Sequence, residues 1–113
     1  MHTRTRALGI TIRVKEEVAD RDSFDGYTCC ILCGTPAPTY NRLAFSNAHY
    51  INRAQGGLGI EENILTLCSN CHYRYDQTTE RAMLQPFFGR YLKSHYPDWD
   101  ESRLYYQKDG GES

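Results

Sequence analysis

The 113-residue sequence contains no apolar run that approaches the roughly 20 residues needed by a membrane-spanning helix. Residues 1–6 are basic and polar, and no apolar stretch follows them, so no secretory signal is predicted. These absences predict a cytoplasmic protein that does not use a membrane as a partner. In a reducing cytoplasm, paired Cys-x-x-Cys units bind metal more often than they form disulfides.

The chain also lacks a strong net charge, which is −1 at pH 7. It is therefore no polycation, and a polyanionic partner would have to be met by local patches. Two regions contain basic residues and no acidic residue, namely 1–15 and 26–60, the second with Arg42 and Arg53. Ordinary solvated surface charge explains any single one of these residues equally well.

Neither an internal repeat nor a low-complexity linker interrupts the sequence. A chain of this length predicts one domain over residues 1–113, with a modest core that a structural metal would supplement. We divide it into a core at 28–78, an N-terminal helical flank at 1–27 and a C-terminal helical region at 79–108.

Four of the five cysteines form two Cys-x-x-Cys pairs with 34 residues between them. Each pair makes a tight turn that aims both sulfurs at one point, and Gly34 suits the backbone of the first turn. Four thiolates in this pattern predict a closed, structural Zn²⁺ site. The alternative, four buried free cysteines, fits this spacing poorly. The predicted zinc ligands are Cys30, Cys33, Cys68 and Cys71, and Cys29 is left as a free thiol.

Local patterns predict the order of the elements around these pairs. A helix is expected over 10–21, with Thr11 as its cap. Strands are expected over 43–51 and 63–67, and a helix is expected to begin at residue 69 or 70. Zinc would thus join the two ends of a strand, loop, strand and helix. A further helix is expected to start near Pro86 and to end near Ser94.

A second set of residues has the chemistry for phosphodiester hydrolysis. His49 lies in the first predicted strand, and a histidine with a near-neutral pKa suits the activation of water. Its ring needs a fixed orientation, which an Asn carbonyl or a backbone carbonyl can provide. His72 and Asp76 stand four residues apart on one helix face, where they can share a divalent cation.

The sequence resembles the HNH endonuclease family over Cys30 to Asp76. The matching motifs are Cys-x-x-Cys-Gly at 30–34, Ala-His-Tyr-Ile at 48–51, Arg-Ala-Gln-Gly-Gly at 53–57, Glu-Asn-Ile-Leu-Thr-Leu-Cys at 62–68 and Cys-His at 71–72. The resemblance implies an α+β fold. Its centre would be a small ββα-metal core, a two-stranded antiparallel sheet plus a helix, stapled by the four-cysteine zinc site and flanked by helices.

The resemblance also implies a role for each matching residue. His49 corresponds to the general base, Asn63 to the residue that orients it, and His72 to a ligand of the catalytic cation, for which Mg²⁺ is the default. Asp76 falls where some members have a second ligand. Ala48 departs from the pattern, because many members have a metal-ligating His or Asp there.

These roles predict a DNA endonuclease that nicks one strand per active site and leaves a 5′ phosphate and a 3′ hydroxyl. Arg53 and Arg74 flank the site and are candidates for phosphate contacts. Small stand-alone members of the family are often encoded beside phage packaging genes, which suggests terminase as a partner. A non-catalytic zinc module that binds DNA or protein is the alternative. A redox or zinc-storage protein is a third reading, which leaves His49 and Asn63 unexplained.

Overall fold

The computed structural model of the chain describes residues 3–107 and shows an α+β fold with two antiparallel two-stranded sheets. Lys108, the last residue of the predicted C-terminal region, lies outside the described residues, as do residues 1 and 2. The helices are α1 (Thr3–Leu8), α2 (Ile12–Arg21), α3 (Ser69–Gln77) and α4 (Arg81–His95). The strands are β1 (Ser23–Phe24), β2 (Tyr27–Thr28), β3 (Ser46–His49) and β4 (Ile64–Leu67). Single 3₁₀ turns occur at Arg53–Gln55, Glu61–Asn63 and Glu101–Leu104.

Strands β3 and β4 form the sheet that carries the predicted site. Ser46 pairs with Leu67 at one end, and His49 pairs with Ile64 at the other. Both strands are shorter than the sequence predicts. At the start, the Ala44 N–H bonds to the Asn41 carbonyl and makes a turn. At the end, the Ile51 N–H bonds to the side chain of Asn63 instead of continuing the ladder.

Helix α2 begins as predicted and ends in a hairpin that we did not predict. The Thr11 hydroxyl accepts a hydrogen bond from the Val14 N–H, which satisfies one of the free donors of the first turn. Beyond the helix, Asp25 (φ 55°) and Gly26 (φ 87°) form the two-residue turn between β1 and β2. Left-handed conformation at both positions defines a type I′ turn, for which Asp-Gly is a favoured sequence.

A buried ion pair joins α2 to β4. Arg21 and Asp22 pair at 2.7 Å, and both are almost fully buried. The Arg21 guanidinium also donates to the Ile64 carbonyl at 2.7 Å, and Asp22 accepts the Thr66 N–H at 3.1 Å. The helix is therefore held at a fixed distance from the sheet by charge-assisted hydrogen bonds to its backbone.

Helix α4 starts five residues before Pro86, so the predicted start at this proline was wrong. The helix opens at Arg81, and the N–H groups of Met83 and Leu84 both bond to the Glu80 carbonyl. Pro86 is exposed, so its ring points to solvent and the loss is confined to one backbone hydrogen bond. The buried stripe on the opposite face, Leu84, Phe88 and Leu92, keeps the helix in place.

The core forms where α3, α4 and the β3–β4 sheet meet. Tyr75 of α3 and Phe88 of α4 are fully buried and pack edge to face, with ring centroids 4.9 Å apart. Trp99 packs in the same way against Tyr50, at 5.5 Å. Within residues 3–107, none of the helices combines the length and the apolar character required to cross a membrane.

Both ends of the described chain hold the loop between β3 and β4. The Gly59 N–H bonds to the Ala7 carbonyl at the end of α1. On the other side, the Leu58 N–H bonds to the Leu104 carbonyl, and the Tyr106 N–H bonds to the Gly56 carbonyl. The loop beside the predicted site is thus fixed by segments that lie far away in sequence.

Candidate functional site

The four paired cysteines form one cluster with the dimensions of a metal site. Their sulfur atoms all lie within 4.8 Å of one another, and Cys33 and Cys68 are 3.7 Å apart. Tetrahedral zinc with Zn–S bonds of about 2.3 Å would place its sulfurs roughly 3.8 Å apart. The cluster can therefore hold a metal ion such as zinc. Cys29 lies outside it, with its thiol 3.3 Å from the Tyr27 carbonyl.

The backbone around the first pair turns as a metal-binding loop requires. Gly34 has a φ of 82°, and its N–H bonds to the Cys30 carbonyl at 2.9 Å. A side chain at this position would be strained by that φ. The Ile31 N–H bonds to the Thr66 carbonyl, so the first pair is joined directly to β4. Helix α3 starts at the second pair, and the cluster therefore connects the loop that precedes β3 to the junction of β4 and α3, not to the far end of the helix.

The surroundings of the cysteines shift the pKa values of their thiols in opposite directions. Burial raises the pKa of the Cys30 and Cys71 thiols. The Cys33 pKa is lowered to about 6, chiefly by hydrogen bonding to the Thr35 hydroxyl at 3.1 Å and to the Thr35 backbone. A bound cation would compensate the cost of burying the thiolates at Cys30 and Cys71.

His49 is half-buried at the end of β3, and one of its ring nitrogens is engaged. Its Nε2 lies 2.9 Å from the carbonyl oxygen of Leu8, the last residue of α1. A carbonyl can only accept, so the hydrogen bond requires the proton on Nε2 and leaves the lone pair on Nδ1. Burial lowers the pKa of His49, and the positive charge of Arg53 adds to this effect. The ring is therefore neutral near pH 7, with Nδ1 as its basic atom.

Ala48 points away from His49 into the core, where it is 1% exposed. Successive side chains of a strand face opposite sides, so the base and its neighbour cannot serve the same pocket from β3. In this structure the position next to the predicted base is closed to solvent. A cation near His49 would therefore receive no ligand from position 48.

His72 and Asp76 of α3 face the same side of their helix, as their spacing predicts. The His72 Nε2 and the Asp76 Oδ2 are 2.7 Å apart. The other carboxylate oxygen, Oδ1, lies 3.2 Å from the guanidinium of Arg81. This pair also acts on His49, because Asp76 raises the pKa of the His49 ring and His72 lowers it.

Asn63 is fully buried, and its side chain holds the loop rather than the ring of His49. It accepts the Ile51 N–H at 2.8 Å and donates to the carbonyls of Ile51 and Leu58 at 3.1 and 2.8 Å. Its backbone carbonyl accepts the N–H of Tyr50, the residue after His49. The orienting role predicted for Asn63 would thus act through the loop backbone.

Replacing Asn63 by alanine is expected to lower the free energy of unfolding by about 3 kcal/mol, because two buried backbone groups of Ile51 and the part-buried carbonyl of Leu58 lose their partners. Urea denaturation of the metal-loaded protein measures this loss. Asn41→Ala is the matched control, since the Asn41 side chain accepts a single, exposed hydrogen bond from the Leu43 N–H. Equal stability of the two variants would contradict the structural role of Asn63.

Of the two arginines predicted to contact phosphate, the structure leaves one available. Arg74 donates twice to the Glu80 carboxylate, at 2.7 and 3.0 Å. Its charge is therefore compensated locally. Arg53 is exposed on the 3₁₀ turn after β3 and acts electrostatically on His49. Arg81, which sequence reasoning did not single out, lies beside Asp76 instead.

Two adjoining grooves bring four of the predicted residues, His49, Arg53, His72 and Asp76, to one surface. The His49 groove, of about 430 Å³, is lined among others by Lys15, Ser46, Asn47, His49 and Arg53. The His72 groove, of about 240 Å³, is lined by Ser46, Ser69, His72, Tyr73, Asp76 and Gln77. Ser46 belongs to both, so the grooves meet at the start of β3. Among residues 3–107, the cysteine cluster alone brings three or more potential ligand groups within 4.8 Å of one another.

Comparison with known proteins adds no assignment, because no family model matches the chain and no curated protein matches it.

Proposed function

We propose that this chain is a zinc-stabilised endonuclease of the HNH type, which hydrolyses DNA phosphodiester bonds with a divalent cation such as Mg²⁺. The observation that carries the proposal is the pair of adjoining grooves. One contains a histidine with a free, basic Nδ1, and the other contains a His–Asp pair. The order β3, β4, α3 with a four-cysteine cluster at the start of α3 also agrees with a ββα-metal core.

The donor atoms of His72 and Asp76 suit a small divalent cation. Octahedral ligands at about 2.1 Å stand roughly 3.0 Å apart, close to the 2.7 Å between Nε2 and Oδ2. The ion could bind if Nε2 lost its proton and the distance between Nε2 and Oδ2 increased slightly. Water and substrate oxygens would complete its shell. When bound, it would stabilise the negative charge that develops on the phosphate and the leaving oxygen.

The chain's own groups account for the proton transfer. Nδ1 of His49 removes a proton from a water molecule, whose oxygen attacks phosphorus. The P–O3′ bond breaks, and the 3′ oxygen takes a proton from solvent, which leaves a 5′ phosphate and a 3′ hydroxyl. The Leu8 carbonyl favours the imidazolium that forms, because Nε2–H donates more strongly when the ring is charged. Arg81 holds Asp76 by its second oxygen.

Nicking of supercoiled plasmid DNA with Mg²⁺, Mn²⁺ or Ni²⁺ tests the proposal directly, and the Asp76→Asn variant tests the cation site. We expect the half-saturating Mg²⁺ concentration of this variant to rise at least about tenfold, because a neutral amide is a poorer ligand than a carboxylate. Asp98→Asn, at an exposed acid that lines neither groove, is the control. Identical Mg²⁺ dependence of the two variants would remove Asp76 from the site.

The pH dependence of nicking is expected to reflect the lowered pKa of His49. The base works unprotonated, so the rate falls as the pH drops through that pKa, and burial places it below the ordinary value of 6.5. Single-turnover rates between about pH 5.5 and 8, at saturating Mg²⁺, measure the midpoint. A midpoint at or above 6.5 would be incompatible with His49 acting in this environment.

A further inference from the structure

The His49 groove has two positively charged side chains at its edges and no acid. Lys15 comes from α2, and Arg53 comes from the turn after β3. None of the described residues that line this groove is an aspartate or a glutamate. The groove therefore presents uncompensated positive charge beside the histidine, as the acid-free composition of residues 1–15 and 26–60 allows.

Neither cation is neutralised elsewhere. Within residues 3–107, the side chains of Lys15 and Arg53 have no hydrogen bond or ion pair. Three other arginines, in contrast, are paired with carboxylates: Arg42 with Asp20, Arg74 with Glu80, and Arg81 with Asp76. A cation left without an internal partner at a groove is available to an external anion.

Lys15 is also held in position more firmly than a surface lysine usually is. It is half-buried, on a helix whose far end is anchored to β4 by Arg21 and Asp22. Its stem therefore loses less conformational freedom when the ammonium binds a ligand. Position, charge and partial ordering together distinguish Lys15 from the other lysine on the described helices, Lys93, which is exposed on α4.

The two grooves meet at Ser46, so an extended anion bound in one groove can continue into the other. A nucleic acid strand repeats its phosphate at every nucleotide. If one phosphate lies between His49 and the His72–Asp76 pair, the strand continues along the His49 groove towards Lys15 and Arg53. A lone anionic side chain of a protein partner would not use this continuity.

We propose that Lys15 and Arg53 bind the DNA backbone phosphate next to the one that is cleaved, and that α2 thereby forms part of the substrate site. Lys15 is a positioning residue, because it contacts a phosphate that does not react. The proposal rests on the function proposed above, but it concerns binding and can be tested without cleavage.

The test compares Lys15→Gln with Lys93→Gln in the full-length, zinc-loaded protein, without added Mg²⁺. Fluorescence anisotropy with a short labelled DNA duplex gives the affinity at several NaCl concentrations. Each phosphate contact contributes about 0.9 to the slope of log affinity against log salt, so Lys15→Gln should reduce the slope by about one. Between about 0.05 and 0.5 M NaCl, the wild-type protein should lose roughly eightfold more affinity than Lys15→Gln.

The controls separate this result from misfolding and from failure of the nuclease proposal. Lys15→Arg should keep the wild-type slope, and Lys93→Gln should not change it. A reduced slope without nicking by the wild-type protein would support the phosphate contact and overturn the nuclease proposal. Nicking by the wild-type protein, together with equal slopes for Lys15→Gln and Lys93→Gln, would support the nuclease proposal and overturn the phosphate contact. A slope change seen with an RNA duplex and not with DNA would overturn the assignment of DNA as the ligand.

Discussion

Replacement of Cys71 by serine is expected to abolish tight zinc binding and to leave the chain unfolded. Binding of zinc to four thiolates contributes about 10–16 kcal/mol of apparent free energy in small domains. Domains of this kind have a total stability of only about 5–15 kcal/mol. Cys71 lies on α3 and is buried in the core, so its sulfur joins the metal cluster to the packing of this helix. Loss of this one ligand should therefore remove most of the folding free energy.

Cys29→Ser is the matched control, because Cys29 precedes a ligand position and lies outside the cluster. We expect about one zinc per chain and native circular dichroism for Cys29→Ser, and neither for Cys71→Ser. Addition of a strong chelator to the wild-type protein should reproduce the unfolded spectrum, and zinc should reverse it. A Cys71→Ser protein with native stability, or a wild-type protein without bound metal, would refute the zinc site.

The cysteine cluster is the part of the site that sequence reasoning could predict, because its chemistry is local. The spacing of each pair determines where the two sulfurs point, and few other functions use two such pairs. The Thr11 cap and the start of α3 depend in the same way on neighbouring residues. The β1–β2 hairpin also depends on neighbouring residues, and its Asp25-Gly26 turn sequence is sufficient to predict it.

The other features depend on groups that meet only in the folded chain. The carbonyl that engages His49 belongs to Leu8, 41 residues earlier, and every residue has such a carbonyl. The end of β3 depends on the Asn63 side chain, which captures the Ile51 N–H. The predicted start of α4 at Pro86 was wrong, because tertiary packing of the opposite helix face outweighs the loss of one exposed hydrogen bond.

The second large effect is expected at His49. If Nδ1 accepts the proton of the attacking water, His49→Ala should slow nicking by about 100- to 10,000-fold, which is the usual contribution of a general base. His95→Ala is the control, since His95 is exposed on α4 and its ring lies against Tyr91, away from both grooves. Plasmid nicking at saturating Mg²⁺, with equal zinc content of the variants, measures the difference.

Alanine at position 49 also removes the hydrogen bond to the Leu8 carbonyl, so a slower variant would not by itself prove a chemical role. His49→Gln separates the two effects. Its amide N–H can still donate to the Leu8 carbonyl and keep α1 in place, but it has no nitrogen that accepts a proton near pH 7. We expect this variant to be as slow as His49→Ala and to keep the salt dependence of DNA binding. Activity within about tenfold of wild type would show that His49 supports the fold and that another group removes the proton.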